Sequence, residues 1–321
     1  MKFVTTKSAT RSAILIALMT VGFTAYGGGD VPTKASNIGG IINTRHNLTM
    51  SYLPPDSILT MDTYRNNYGE ICVYCHTPHG ANTQIALPLW NRSIPATTYN
   101  TYNSSTITQP VSQPGPNSLS CLSCHDGTVS IDSIINMPGG GGYLKSQERA
   151  PTTPAQAVIK TNFLNTWVNA SADPMFPAPS THSSLLAPNG GCIHCHSNVT
   201  GSYGALNQPA APSFDVFNIG SDLRNDHPVG IRYPTGAGNP GVDFRATNAT
   251  WKNIAYFDTG NGNLDSNEIR LYNTGQGFEV ECASCHDPHG VPSNGTGTVN
   301  NKTFMRVSNS GSGLCLTCHV K

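Results

Sequence analysis

The sequence predicts a chain that is mostly coil, with few short helices and little sheet, wrapped around a core that its own side chains do not supply. Three observations predict this. Only 37% of the 321 residues are hydrophobic and 11% are charged, a thin stock of core material for a length that ordinarily makes two domains. Gly (32 residues) and Pro (23 residues) interrupt nearly every stretch, so neither the helical nor the alternating apolar period persists. The ten cysteines fall in five pairs of one form.

Those pairs set the chemistry. Cys72 and Cys75 are followed by His76, Cys121 and Cys124 by His125, Cys192 and Cys195 by His196, Cys282 and Cys285 by His286, and Cys315 and Cys318 by His319. Residues at i, i+3 and i+4 share one face of a helical turn, so two thiols can bond the vinyl groups of a haem while the imidazole reaches its iron from the same side. A disulfide framework needs no histidine at that place, and a zinc knuckle needs none directly after its second thiolate. The cofactor expectation is five covalently bound haem c groups, with His76, His125, His196, His286 and His319 as proximal iron ligands.

Six histidines remain, which is enough to cap every iron on its second face with one to spare. His79 and His289 follow a proximal histidine by three residues, in CHTPHG and CHDPHG, and are too near in sequence to reach the far face of their own haem. They can reach the next one. The alternative is an exposed imidazole in a Pro-Gly turn. His227, in Asn225-Asp226-His227-Pro228, and His46 are read as distal ligands. The last ligand is His182, with His194 as its alternative. A six-coordinate haem has no open position for substrate, which favours electron transfer over catalysis.

The chain divides into an export signal at 1–27, a two-haem region at 28–140, an inserted one-haem region at 141–215 and a second two-haem region at 216–321. The signal is read from Lys2, Lys7 and Arg11 ahead of the apolar run Ala13 to Ala25, with cleavage after Gly27 and secretion as its consequence. No later segment is long enough to span a bilayer. Loss of those three cations leaves 15 basic against 18 acidic residues, so nucleic acid is not an expected partner. Each two-haem region holds a doubled motif followed by a single one, an internal repeat. Short helices are expected from Ser118, Val280 and Ser312. Oxygen donors from Asp258 to Glu268 resemble a calcium loop one residue short of the regular form; a plain Asn-Gly turn is the favoured reading and calcium the alternative.

CVYCHTPHGA at 72–81, PLWNR at 88–92, CLSCHDGT at 121–128, NDHPVG at 225–230, ECASCHDPHG at 281–290 and the terminal CLTCHVK resemble the OmcE-type extracellular multihaem cytochromes of metal-reducing bacteria. These blocks cover both two-haem regions and not the middle. The resemblance implies coil wrapped around stacked haems, subunits joined head to tail as a homopolymer, and delivery of electrons from other redox proteins to external acceptors. It also implies that His79 ligates a haem of the neighbouring subunit. The OmcE-type pattern has four haems, and the motif of Cys192, Cys195 and His196 departs from it. A monomeric electron shuttle and a multihaem oxidoreductase are the competing readings. The enzyme reading is weakened because such enzymes often replace the proximal histidine of the reacting haem.

Overall fold

The structure is a computed structural model, and it describes residues 40–44, 46–49, 68, 70–94, 96–129, 131–136, 218–291 and 304–320. The expected signal, the inserted region with Cys192, Cys195 and His196, and the candidates His182 and His194 lie outside the described residues.

Regular elements are short, as the glycine and proline content requires. Helix α1 spans Pro116–His125, α2 Cys282–Cys285 and α3 Gly313–Cys318, and a single 3-10 turn covers Cys72–Tyr74. Each of these four elements lies on an attachment motif. Pro116 occupies the first turn of α1, where its missing N–H costs nothing. The helix expected from Val280 starts at Cys282 instead, because Val280 ends a strand and pairs with Ile231.

Between 231 and 280 the chain makes one antiparallel sheet. Its strands are β1 Ile231–Arg232, β2 Ala249–Trp251, β3 Ile254–Tyr256, β4 Arg270–Asn273 and β5 Phe278–Val280, in the spatial order β1-β5-β4-β3-β2. Gly275 and Gly277, at φ 99° and 117°, make the turn from β4 to β5, a conformation residues with a Cβ rarely adopt. Beyond β1, Arg232 donates to the carbonyl of Pro110 and Ser112 to that of Gly230, so the segment around Ser112 covers that edge.

Among the described residues the apolar core comes in three small clusters, and each touches an attachment motif. Tyr68, Val73, Tyr74 and Ile134 pack on Cys75. Tyr99, Leu122, Leu223 and Val229 pack with Cys282. Tyr233, Ala255 and Leu271, on and beside the sheet, pack with Cys318. Such clusters bury too little apolar surface to offset the chain entropy of the connecting coil.

Protein made without haem attachment is therefore expected to be disordered by circular dichroism, with no cooperative thermal transition. A cooperative melt of such apoprotein would contradict that expectation.

Candidate haem-attachment sites

Backbone pairing fixes the motif histidines among the described residues. His76 forms a single antiparallel bridge with Trp90, His286 with Met305 and His319 with Phe244. At His125 the carbonyl instead accepts from the N–H groups of Ile219 and Gly220. Each of the four described motifs thus ends where another part of the chain returns and pins the backbone beside the histidine.

The two doubled motifs are pinned identically. Thr77 donates its N–H to Leu89 and Asp287 to Phe304, both at 2.9 Å. Asn91 donates to Cys75 and Arg306 to Cys285, both at 2.8 Å. Leu89 and Phe304 both take the left-handed conformation, at φ 53° and 60°, which turns the returning chain into place. Even the side chains correspond, since Asn91 Nδ2 donates to the carbonyl of Val73 and Arg306 Nε to that of Ala283. Sequence reading missed this extension of the repeat. The residues that correspond differ in type, and the loops leading to them differ in length.

Two pairs of imidazoles face one another. His76 and His289 have ring centres 6.1 Å apart with planes 13° from parallel, and His46 and His125 have ring centres 6.1 Å apart with planes crossed at 63°. Two imidazoles on opposite faces of one metal, each bonded at about 2 Å, hold their ring centres about 6 Å apart.

The ring nitrogens are arranged to match. Nδ1 of His46 lies 3.0 Å from the carbonyl of Pro288, and Nδ1 of His76 lies 2.8 Å from that of Pro88. Nδ1 of His289 is 3.1 Å from the Asp287 carboxylate and Nδ1 of His227 is 3.1 Å from the Pro228 carbonyl. Using Nδ1–H in this way leaves Nε2 as the lone pair for a metal. Burial, then the neighbouring His125, push the His46 imidazole down to about 4, so it stays in the neutral form that ligates. Burial likewise lowers His76. Burial alone would raise the Asp287 carboxyl, but hydrogen bonds from His289 and the charge of Arg306 outweigh it and hold it at about 2.

These residues fit haem. A porphyrin supplies four of six iron ligands and asks for two imidazoles, which is what each pair offers. Among the described residues no group of three or more His, Cys, Asp or Glu side chains is set to hold a bare metal ion. The indole N–H of Trp90, beside His76, is buried without a hydrogen-bond partner among the described residues, which fits an acceptor outside the polypeptide.

At Asp258–Glu268 the same test favours the plain turn and lends the calcium alternative no support. Glu268 is buried, its Oε1 accepts from the backbone N–H and hydroxyl of Thr259, and its Oε2 accepts from the N–H of Asp265. Asp258 Oδ1 accepts from Gly262, and Asn261 Nδ2 donates to Asp265. The carboxylates close the turn by hydrogen bonds rather than converging on a cation.

Residues 276–321 match the family model described as a doubled CXXCH motif. The match supports a multihaem c-type cytochrome, and its motifs indicate covalently bound haem c. In electron-transfer proteins of this kind the haem, not a substrate pocket, carries the function. No curated protein matches the chain.

The attachment sites are also tied to each other. Glu281, buried immediately before Cys282, accepts from the N–H of Gly115 with both carboxylate oxygens and from the hydroxyl of Ser118, at the N-terminus of α1 where negative charge is favoured. Ser118 Oγ accepts in turn from the N–H of Cys282 at 2.8 Å. Buried Arg92 binds the Ser123 hydroxyl and carbonyl, inside the second motif, and the carbonyls of Ile131 and Ser133.

Two outcomes follow from this geometry. His46→Ala should leave every haem attached yet open the second iron, so the reduced variant takes up carbon monoxide at one site where the parent does not; unchanged spectra under carbon monoxide would remove His46 from that iron. Burial pushes the Glu281 carboxyl from 4.5 up to about 7, against the hydrogen bonds of Ser118 and Gly115. The folded state holds this proton more tightly than the unfolded chain does. Its contribution is therefore complete below about pH 4.5 and is lost as pH rises through about 7, by up to about 3 kcal/mol. The holoprotein's Tm should fall across that window, and Glu281→Gln should flatten the slope.

Proposed function

We propose that this chain is a pentahaem c-type cytochrome that moves electrons over long distances outside the cell, as the subunit of a head-to-tail filament. The observation that carries the electron-transfer part is the pair of 6.1 Å imidazole spacings, which supports irons capped on both faces. Such irons change oxidation state without binding substrate. On this reading His289 caps the iron of His76 and His46 caps that of His125.

The remaining assignments follow from position. Val229, two residues after His227, packs in the same cluster as Cys282, which brings His227 toward the fourth motif as the distal ligand for His286. His196 is left with His182 or His194. Of the described histidines that leaves His79 for the iron of His319; it is exposed and its carbonyl is held by the Thr77 hydroxyl and the Asn136 amide. His79 of one subunit on the iron of His319 of the next makes a heterologous contact that does not close, and such contacts build filaments.

Mass spectrometry of the holoprotein should give five porphyrin adducts, and electron microscopy of secreted material should show filaments that His79→Ala abolishes without loss of haem. Filaments that persist in that variant would remove the junction. A protein that elutes as a monomer with five low-spin haems would favour the shuttle instead, and high-spin iron in the resting electron paramagnetic resonance spectrum would favour an enzyme.

A further inference from the structure

We propose that Asp287 tunes the reduction potential of the iron held between His76 and His289, lowering it by offering a negatively charged acceptor to the ring N–H of His289. The proposal rests on the reading that this facing pair caps one haem iron, and it names the residue that tunes that iron.

The Nδ1 partner of His289 differs in charge from those of His76, His46 and His227. Nδ1 of His76 lies 2.8 Å from the Pro88 carbonyl, that of His46 3.0 Å from the Pro288 carbonyl and that of His227 3.1 Å from the Pro228 carbonyl, all neutral acceptors. Nδ1 of His289 lies 3.1 Å from Oδ1 of Asp287, a carboxylate. The backbone N–H of His289 donates to the same oxygen at 3.1 Å, so ring and main chain of this histidine share one acceptor. The second oxygen, Oδ2, accepts from Arg306 Nη1 at 2.9 Å, and Arg306 is held in turn by the carbonyls of Ala283 and Ser266. Arg306 thus offsets part of the charge but leaves Oδ1 to the ring. Asp287 and Arg306 are 8% and 4% exposed, so little water screens the arrangement.

A ferric iron draws electron density out of its axial imidazole and makes the ring N–H a stronger donor than a ferrous iron does. A charged acceptor therefore favours the ferric form more than a neutral carbonyl does. When one electron enters this iron the proton stays on Nδ1 and the bond to Asp287 weakens. That loss opposes reduction and lowers the potential.

The test is a potentiometric titration of the holoprotein, followed by visible absorbance and electron paramagnetic resonance. Asp287→Asn keeps an oxygen for the ring N–H and removes the charge. One haem of this variant should shift toward the ferrous form by about tenfold, the gap between a charge-assisted and a neutral hydrogen bond, which is about 59 mV upward for one electron. Asp287→Glu, which keeps the charge, should shift it less. Rings crossed at 63°, as in His46 and His125, give a more anisotropic ferric signal than rings 13° apart, as in His76 and His289. The anisotropic signal of the crossed pair should titrate unchanged in both variants. An Asp287→Asn protein with no displaced haem would overturn the proposal, as would an equal shift in Asp287→Glu. New carbon monoxide uptake by reduced Asp287→Asn would do so too, because the carboxylate would then support ligation alone, and so would failure of both variants to accumulate with the parent's haem content. His289→Ala isolates the reading beneath: a reduced form that takes up no carbon monoxide would remove His289 from the iron, whatever the Asp287 variants show.

Discussion

His76 and His289 face each other from opposite ends of the chain, and so do His46 and His125 from the N-terminal side, which makes the facing imidazole pair the constraint on which the described structure depends. Loop closure over so many residues costs entropy that grows slowly with length, but it must be offset by something at the point of closure. Three clusters of three or four buried apolar residues cannot do it alone. On the proposed reading, metal–imidazole bonds and thioethers do, because each is far stronger than any side-chain contact and each is fixed in direction. The coil between the attachment points then needs no periodic apolar pattern, and the sequence has none.

Polar groups do the local work that apolar packing does in other folds. Arg92, Glu281, Glu268 and Arg306 are all buried, and each is bonded largely to backbone groups or hydroxyls of a turn or motif. A buried carboxylate or guanidinium without partners would cost several kcal/mol, so these side chains impose a single geometry on the segments they touch. Glu281 is the strongest case. It is bonded at once to the N-terminus of α1 and, through Ser118, to the start of α2, so the relative placement of two attachment sites rests on one carboxyl group.

How much of this was legible in the sequence depends on whether the signal was covalent or spatial. The five motifs and their proximal histidines are local patterns, and the residues alone identify them. The distal role expected for His46 has only its residue type as a signal. Its facing of His125 depends on Pro288 and Phe304, far away in the chain. The sheet between 231 and 280 is built from strands of two to four residues, too short for an alternating pattern to register, and two of its positions are set by turn glycines rather than by β-formers. The resemblance to a calcium loop is ambiguous in sequence because the same oxygen donors that ligate a cation also accept N–H groups in a tight turn, and the burial of Glu268 favours the turn.

Between their histidines the doubled motifs differ at one position, Thr77 against Asp287, and the difference bears on their roles. In the second, Asp287 accepts from Nδ1 of His289, and Arg306 holds that carboxylate in place. Such a carboxylate fixes the ring's orientation and raises its basicity toward a metal. In the first, Thr77 stands where Asp287 does, and its hydroxyl donates to the backbone carbonyl of His79 rather than to the ring. The backbone is held and the imidazole is left to orient on what it meets. A ligand preorganised by its own chain suits a haem within that chain, whereas a ring whose direction is set on contact suits a partner that arrives from outside. The two histidines share a motif and a local fold, and on the proposed reading the residue that follows the first histidine of each separates an internal ligand from one available to a neighbour.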